Sequence, residues 1–138
     1  MSLRPETGWP CVLLVDDNPE TLNITTAHLQ AQGARVIALN SPFGVTNMVR
    51  RERPDIIVLD VMLPGLSGGG LGTIIRSESD APVIYFSAIP EQDLRDLSRA
   101  IANASYVLKS EGIIYLANEI ERLSRRSRPP ARSPRPTS

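Results

Sequence analysis

Short apolar runs that close on a polar side chain constrain this chain more than any other feature. Cys11–Val15 runs into Asp16, Ile56–Leu59 into Asp60, Pro82–Phe86 into Ser87 and Tyr106–Leu108 into Lys109. Uninterrupted runs of this length suit strands buried on both faces, as in a parallel sheet with helices on either side. Arg35–Leu39 reads as a further strand, without a reactive group at its end. Helical signals fill the intervals. Asn18 is an N-cap ahead of Pro19 and Glu20, Leu22, Thr25, Thr26 and Leu29 share a face, and Gly33 ends that helix. Ser41 and Pro42 predict the start of a second helix with Val45, Met48 and Val49 inward, stopped by Pro54. Leu71, Ile74 and Ile75 form the apolar side of a third, which starts among glycines that each cost about 1 kcal/mol relative to Ala if interior. Pro90–Ala102 and Ile113–Leu123 are the last two helices, the latter with Ile113, Leu116, Ile120 and Leu123 in register. Strand and helix thus alternate, which implies parallel strands, right-handed crossovers and a doubly wound α/β domain.

With 138 residues there is room for one domain. Its net charge of zero conceals an asymmetry, because Arg125, Arg126, Arg128, Arg132 and Arg135 follow Leu123 while every acid precedes it. The body is acidic and the end basic. A nucleic-acid interface needs cations gathered on the folded face, so the body is not expected to bind nucleic acid directly. No apolar run reaches the ~18 residues of a membrane span and no secretory leader is evident, so the expected location is the cytoplasm, without membrane contact. Cys11 opens an apolar run and reads as a buried structural thiol. The expected organisation is an extension over 1–10, a domain over 11–123 and, over 124–138, a Pro-, Arg- and Ser-rich tail or linker without the apolar residues to order it. That tail lacks aromatic residues for stacking on bases and reads as solvated.

In a doubly wound sheet, ligands sit beyond the carboxyl ends of the strands. Asp16, Asp17, Asp60, Ser87 and Lys109, the chain's only lysine, all lie at those ends. Clustered carboxylates repel unless a cation sits among them, and oxygen ligands without His or Cys suit Mg²⁺, which keeps coordination positions for water and a phosphoryl group. A lysine and a serine hydroxyl could hold further phosphoryl oxygens, and a central aspartate could act as a nucleophile. The set looks built for phosphate.

These residues resemble a known family. The run into Asp16, Asp17 and Asn18, the run into Asp60 followed by Val61-Met62-Leu63-Pro64-Gly65 and Gly68, the Ser87-Ala88 pair and the Tyr106…Lys109 spacing are similar to the receiver domain of two-component response regulators, over about residues 11–123. The resemblance implies a flavodoxin-like (βα)5 fold of strand order 2-1-3-4-5. It implies that Asp60 accepts a phosphoryl group from a phosphohistidine on a histidine kinase or phosphotransfer protein. Asp16, Asp17, Asp60 and the backbone carbonyl of Met62 would hold Mg²⁺. Lys109 would pair with the phosphoaspartate, and Ser87 and Tyr106 would move inward as switch residues. The face made by helix four, strand five and helix five would then change toward a downstream protein, a fused output domain or a second copy of the chain.

The family usually carries proline after the lysine, often in a cis peptide, whereas Ser110 follows Lys109 here. Either the loop is trans or it stores strain, because cis before a non-proline residue costs about 3 kcal/mol. Met62 and Ile89 are bulky where attacking water would approach, which implies slow self-dephosphorylation. No enzymatic activity beyond the chain's own phosphorylation and dephosphorylation is expected. Two other readings stay open: a degenerate receiver that only binds a partner, and an aspartyl-nucleophile hydrolase, although such enzymes space their acids as Asp-x-Asp after the first strand. His28 has no cysteine or second histidine near it in sequence, and Gly68–Gly72 lacks the Lys-Ser or Lys-Thr of a phosphate loop.

Overall fold

The computed structural model describes residues 9–61 and 68–127. Along the chain run β1 (Cys11–Val15), α1 (Pro19–Ala31), β2 (Arg35–Leu39), α2 (Val45–Glu52), β3 (Ile56–Leu59), α3 (Gly68–Glu78), β4 (Val83–Ser87), α4 (Glu91–Ala100), β5 (Ala104–Leu108), a single 3-10 turn (Lys109–Glu111) and α5 (Ile113–Ser127). The strands form one sheet in the order β2-β1-β3-β4-β5, every neighbouring pair parallel. This is the doubly wound arrangement that the alternating runs predict, with the flavodoxin-like strand order that the resemblance implies.

Side chains on successive strand residues point to opposite faces, and the core divides accordingly. Val12, Leu14, Ile56, Val58, Ile84, Phe86 and Val107 face one side, where they pack on Leu22 and Leu29 of α1 and Leu116, Ile120 and Leu123 of α5. Leu13, Val15, Ile57, Leu59, Val83 and Tyr85 face the other and meet Val45 and Val49 of α2, Leu71 and Ile75 of α3 and Leu94 of α4. β1, β3 and β4 are buried along their whole length. At roughly 1.5–3 kcal/mol for each large apolar side chain buried, these two layers dominate the drive to fold.

Several boundaries differ from the sequence expectations. Asn18 does cap α1, its side chain accepting from the Thr21 N–H at 3.0 Å. α2, however, starts at Val45 rather than at Ser41-Pro42, because Ser41 Oγ accepts from the Phe43 N–H and Gly44, at φ +89°, turns the chain into the helix. Ile74 is 41% exposed rather than part of the apolar side of α3, where Leu71 and Ile75 are fully buried. β5 starts two residues earlier than Tyr106, at Ala104. α5 runs to Ser127, four residues beyond its expected end at Leu123, with Ser124 buried. Trp9 and Pro10, placed in an extension by sequence, join the fold: Trp9 packs on the α1/α5 side of the core and Pro10 accepts from the Arg35 N–H.

The glycines of α3 weaken it as an isolated helix, but Gly72 is required. A Cβ there would overlap the buried Tyr85 hydroxyl, so α3 can approach β4 closely only with glycine at that position.

Candidate functional site

β1, β3 and β5 deliver their last residues to one rim. The Asp16 N–H donates to Leu39 O and the Asp60 N–H to Val15 O, both at 3.0 Å, so each aspartate is fixed by the sheet ladder at the moment its strand ends. Asp16 and Asp60 are buried, and Asp17 is exposed. Carboxylate oxygens of all three lie within 4.8 Å of one another.

Lys109 reaches this cluster from the edge strand. Its Nζ donates to Asp16 Oδ2 at 2.8 Å and to Asp60 Oδ2 at 3.1 Å. On the way it passes 5.9 Å from the centroid of the Phe86 ring, a cation–π distance. The second oxygen of Asp16, Oδ1, accepts from the Asn18 N–H at 2.9 Å, which ties the carboxylate to the start of α1. Burial lowers the pKa of Lys109, but the hydrogen bonds to Asp16 and Asp60 outweigh it, so the ammonium is held above its ordinary value. Among the described residues there is no cis peptide. The Lys109–Ser110 bond is therefore trans, and the lysine is aimed at the carboxylates without the family's usual proline.

Ser87, at the end of β4, has a fully buried side chain whose Oγ accepts weakly from the Ile89 N–H at 3.5 Å. Tyr106 is drawn toward α4. Its hydroxyl donates to Glu91 Oε2 at 2.8 Å and accepts from Arg95 at 3.4 Å, while Arg95 and Glu91 pair at 3.5 Å. Met62 lies outside the described residues.

Three carboxylates, two of them buried, converging within bonding reach of one point fit a hard divalent cation, and no histidine or cysteine competes in that cluster. The Lys109 ammonium supplies a second positive charge facing Asp60. Together they suit an anionic group carried on, or delivered to, the Asp60 carboxylate.

Asp16, Asp17, Asp60 and Lys109 are thus brought together as the sequence reading expects. Ser87 stands on the neighbouring strand end, and Tyr106 lies apart, on the α4 side. Sequence reasoning missed three partners: Phe86 beneath Lys109, the Glu91–Arg95 pair holding Tyr106, and Glu111, whose Oε1 accepts from the Leu108 N–H at 2.9 Å. The only advance signal for Glu91 was its acid in the first turn of a helix. The Phe86 contact is tertiary, whereas Glu111 bonds the amide three residues before it, a local cap-type contact that the sequence reading passed over.

Comparison with known proteins agrees with this geometry. The response regulator receiver domain family matches residues 12–121. The chain is 35% identical over 98 residues to the probable transcriptional regulator ycf27 of Porphyra purpurea, a match covering 71% of this chain and 40% of that protein. It is 43% identical over 77 residues to the transcriptional regulatory protein CseB of Streptomyces coelicolor, covering 56% of this chain and 33% of that one. It therefore spans well under half the length of these relatives. Among solved structures, the Francisella response regulator 1452 receiver domain superposes with a TM-score of 0.79 at 23% identity, over 86% of this chain and 99% of that one. With the fold, the acidic cluster and its lysine in place and the family match spanning nearly all of the folded residues, the chain belongs to the response regulator receiver domains, the modules of phosphorylation-dependent two-component signalling.

Proposed function

We propose that Asp60 is the phosphoacceptor of this receiver and that the phosphoryl donor is a phosphohistidine on a histidine kinase or phosphotransfer protein. The observation that carries this reading is Lys109 Nζ, held at 2.8 Å from the buried Asp16 carboxylate and 3.1 Å from the buried Asp60 carboxylate. An Asp60 oxygen attacks phosphorus, the P–N bond to imidazole breaks as the P–O bond forms, and the imidazole leaves as the neutral base after taking a proton from solvent. Mg²⁺, which Asp16, Asp17, Asp60 and the Met62 carbonyl would hold, supplies charge neutralisation for the phosphoryl oxygens. Lys109 orients Asp60 beforehand and then pairs with the phosphoaspartate. Burial of Asp60 and Ser87 keeps bulk water from the acyl phosphate, which suits slow self-dephosphorylation and no further enzymatic activity.

A donor protein has a surface to land on. A groove of about 550 Å³ runs beside Lys109 between α1 and α5, lined by Thr21, Ile24, Phe86, Ile113 and Ile114. Ile24 and Ile114 stand exposed on it at 57% and 69% and give it an apolar floor. On the other side, Ser87 and Tyr106 connect the phosphorylation site to the α4-β5-α5 face, through which the switch acts on a downstream protein, a fused output domain or a second copy of the chain. Several relatives are longer regulators, including a DNA-binding response regulator and a protein-glutamate methylesterase, so an output segment attached beyond α5 is the form we favour, with a cytoplasmic location. No described helix is long and apolar enough to cross a membrane.

The test is incubation with phosphoramidate and Mg²⁺ followed by mass spectrometry. Wild type gains one alkali- and hydroxylamine-labile phosphoryl group at Asp60, and Asp60→Ala gains none there. Equal labelling of the variant, or none of wild type, ends this reading.

A further inference from the structure

Lys109 has to span from the edge strand over β4 to reach aspartates on β1 and β3. Where its Nζ arrives is set by the direction in which its Cα–Cβ bond leaves the backbone, and so by the turn that joins β5 to α5. That turn is a single 3-10 turn over Lys109–Glu111, with Ser110 and Glu111 exposed to solvent. Its backbone closure is a 3.1 Å bond from the Gly112 N–H to Lys109 O, after which Gly112, at φ +95°, redirects the chain into α5. One short 3-10 turn on an exposed loop is weakly held by itself, and no proline stiffens it. The bond that braces it is the one from the Leu108 N–H to Glu111 Oε1 at 2.9 Å. β5 is the sheet's edge, and this amide is turned toward the glutamate, which folds back across the turn over the residue immediately before Lys109. A charge-assisted bond of this kind is roughly twice as strong as a neutral one.

We propose that Glu111 is a positioning residue for Lys109: by gripping the Leu108 amide it fixes the turn from which the ammonium reaches Asp60 and Asp16. The carboxylate does here, through a hydrogen bond, what a rigid residue at position 110 would do through its ring. The inference rests on the reading of Asp60 as phosphoacceptor for its effect on phosphorylation, but its geometric content stands without it.

The experiment therefore has a metal-free readout and a phosphorylation readout, on wild type, Glu111→Ala, Glu111→Gln, Lys109→Ala and the Lys109→Ala/Glu111→Ala pair. In the metal-free proteins at one fixed pH, Glu111→Ala moves the Asp16 and Asp60 carboxyl ¹³C resonances most of the way to their positions in Lys109→Ala, while Glu111→Gln, which keeps an acceptor oxygen, leaves them near wild type. In the double variant the second substitution moves them no further, because the contact that Glu111 positions is already gone. With phosphoramidate and Mg²⁺, Glu111→Ala slows labelling of Asp60 by about five- to tenfold and Glu111→Gln by less than about twofold. Wild-type resonance positions in Glu111→Ala overturn the proposal, as does an equal shift from Glu111→Ala with and without Lys109. An unlabelled wild type that still shows the resonance pattern leaves the positioning role in place and removes the phosphoacceptor reading instead.

Discussion

At the N-terminal end of the sheet the Arg76 guanidinium donates to the carbonyl oxygens of Ser79, Ala102 and Asn103, whereas at the C-terminal end the Lys109 ammonium donates to the carboxylates of Asp16 and Asp60. Both cations leave solvent to meet oxygen atoms, but the partners differ in kind. Carbonyls on connecting loops are fixed dipoles that no ligand will claim, so Arg76 stitches the α3-β4 and α4-β5 connections together and stays there. Around it the Asn103 side chain donates to Asp80 O and the Cys11 N–H to Asp55 Oδ2, so polar groups at this end are spent on structure. Carboxylates carry full charge, and two of them share one ammonium. The C-terminal end is thus an arrangement that a second cation and an anion can enter and rearrange. The contrast separates a scaffold from a site, although the two ends bury similar chemistry.

The sharpest way to break this contrast is Lys109→Met, which keeps the apolar stem over Phe86 and removes the charge. Labelling of Asp60 by phosphoramidate falls by about 10²- to 10³-fold, the usual cost of losing one preorganised charge partner of a transferring group. In the metal-free state the variant leaves Asp16 and Asp60 facing each other without their ammonium, so it melts below wild type. Millimolar Mg²⁺ raises its melting temperature more than that of wild type, since the added cation restores what the lysine supplied. An identical Mg²⁺ response in the two proteins would show that Lys109 and the metal do not share the carboxylates.

The reciprocal change is Arg76→Met. Three hydrogen bonds to backbone carbonyls disappear, at a cost to unfolding free energy of about 2 kcal/mol, measurable by urea denaturation. Phosphorylation per folded molecule stays within about twofold of wild type. A variant of normal stability and impaired labelling would make the N-terminal end part of the function and dissolve the distinction.

The site was far more legible in the sequence than its supports. Asp16, Asp60, Ser87 and Lys109 could be placed together because each ends an apolar run, and a parallel sheet collects run ends on one edge whatever the loops do. Arg76 offers no such handle, because its partners Ala102 and Asn103 are 26 and 27 residues away and are backbone atoms. Gly72 reads as a weakness in the sequence, since helix propensity is local and the Tyr85 hydroxyl that forbids a Cβ there comes from another element. Ser41-Pro42 has the chemistry of a cap and also of a tight turn, and Gly44 at positive φ decides between them by starting α2 at Val45. Tyr106 was expected as a switch residue from the resemblance. That it is tied to Glu91 and Arg95 depends on how α4 packs on β5, which no pattern in either segment encodes.

The smallest predicted effect distinguishes the two ends by pH. At the N-terminal end, burial pushes the Cys11 thiol above its ordinary 9.0, against the opposing hydrogen bond and charge of Arg35. At the C-terminal end, Lys109 is held above its ordinary 10.5 by Asp16 and Asp60 despite burial. Both are raised in the folded protein, so both contribute stability that is complete below the unfolded value and lost as pH climbs toward and through the folded one. The windows are offset. As pH rises through about 9 the unfolded chain releases the Cys11 proton more readily than the native state does, and unfolding free energy falls with a slope of at most about 1.4 kcal/mol per pH unit. Tyr85, raised by burial from 10.0, and Lys109 deepen the loss only at higher pH. Urea denaturation at stepped pH should therefore show a first decline that Cys11→Ala removes and Lys109→Met leaves intact. A decline between pH 9 and 10 that survives in Cys11→Ala would mean that the thiol is not sealed in the core, and that the N-terminal end is less completely closed than its hydrogen bonds imply.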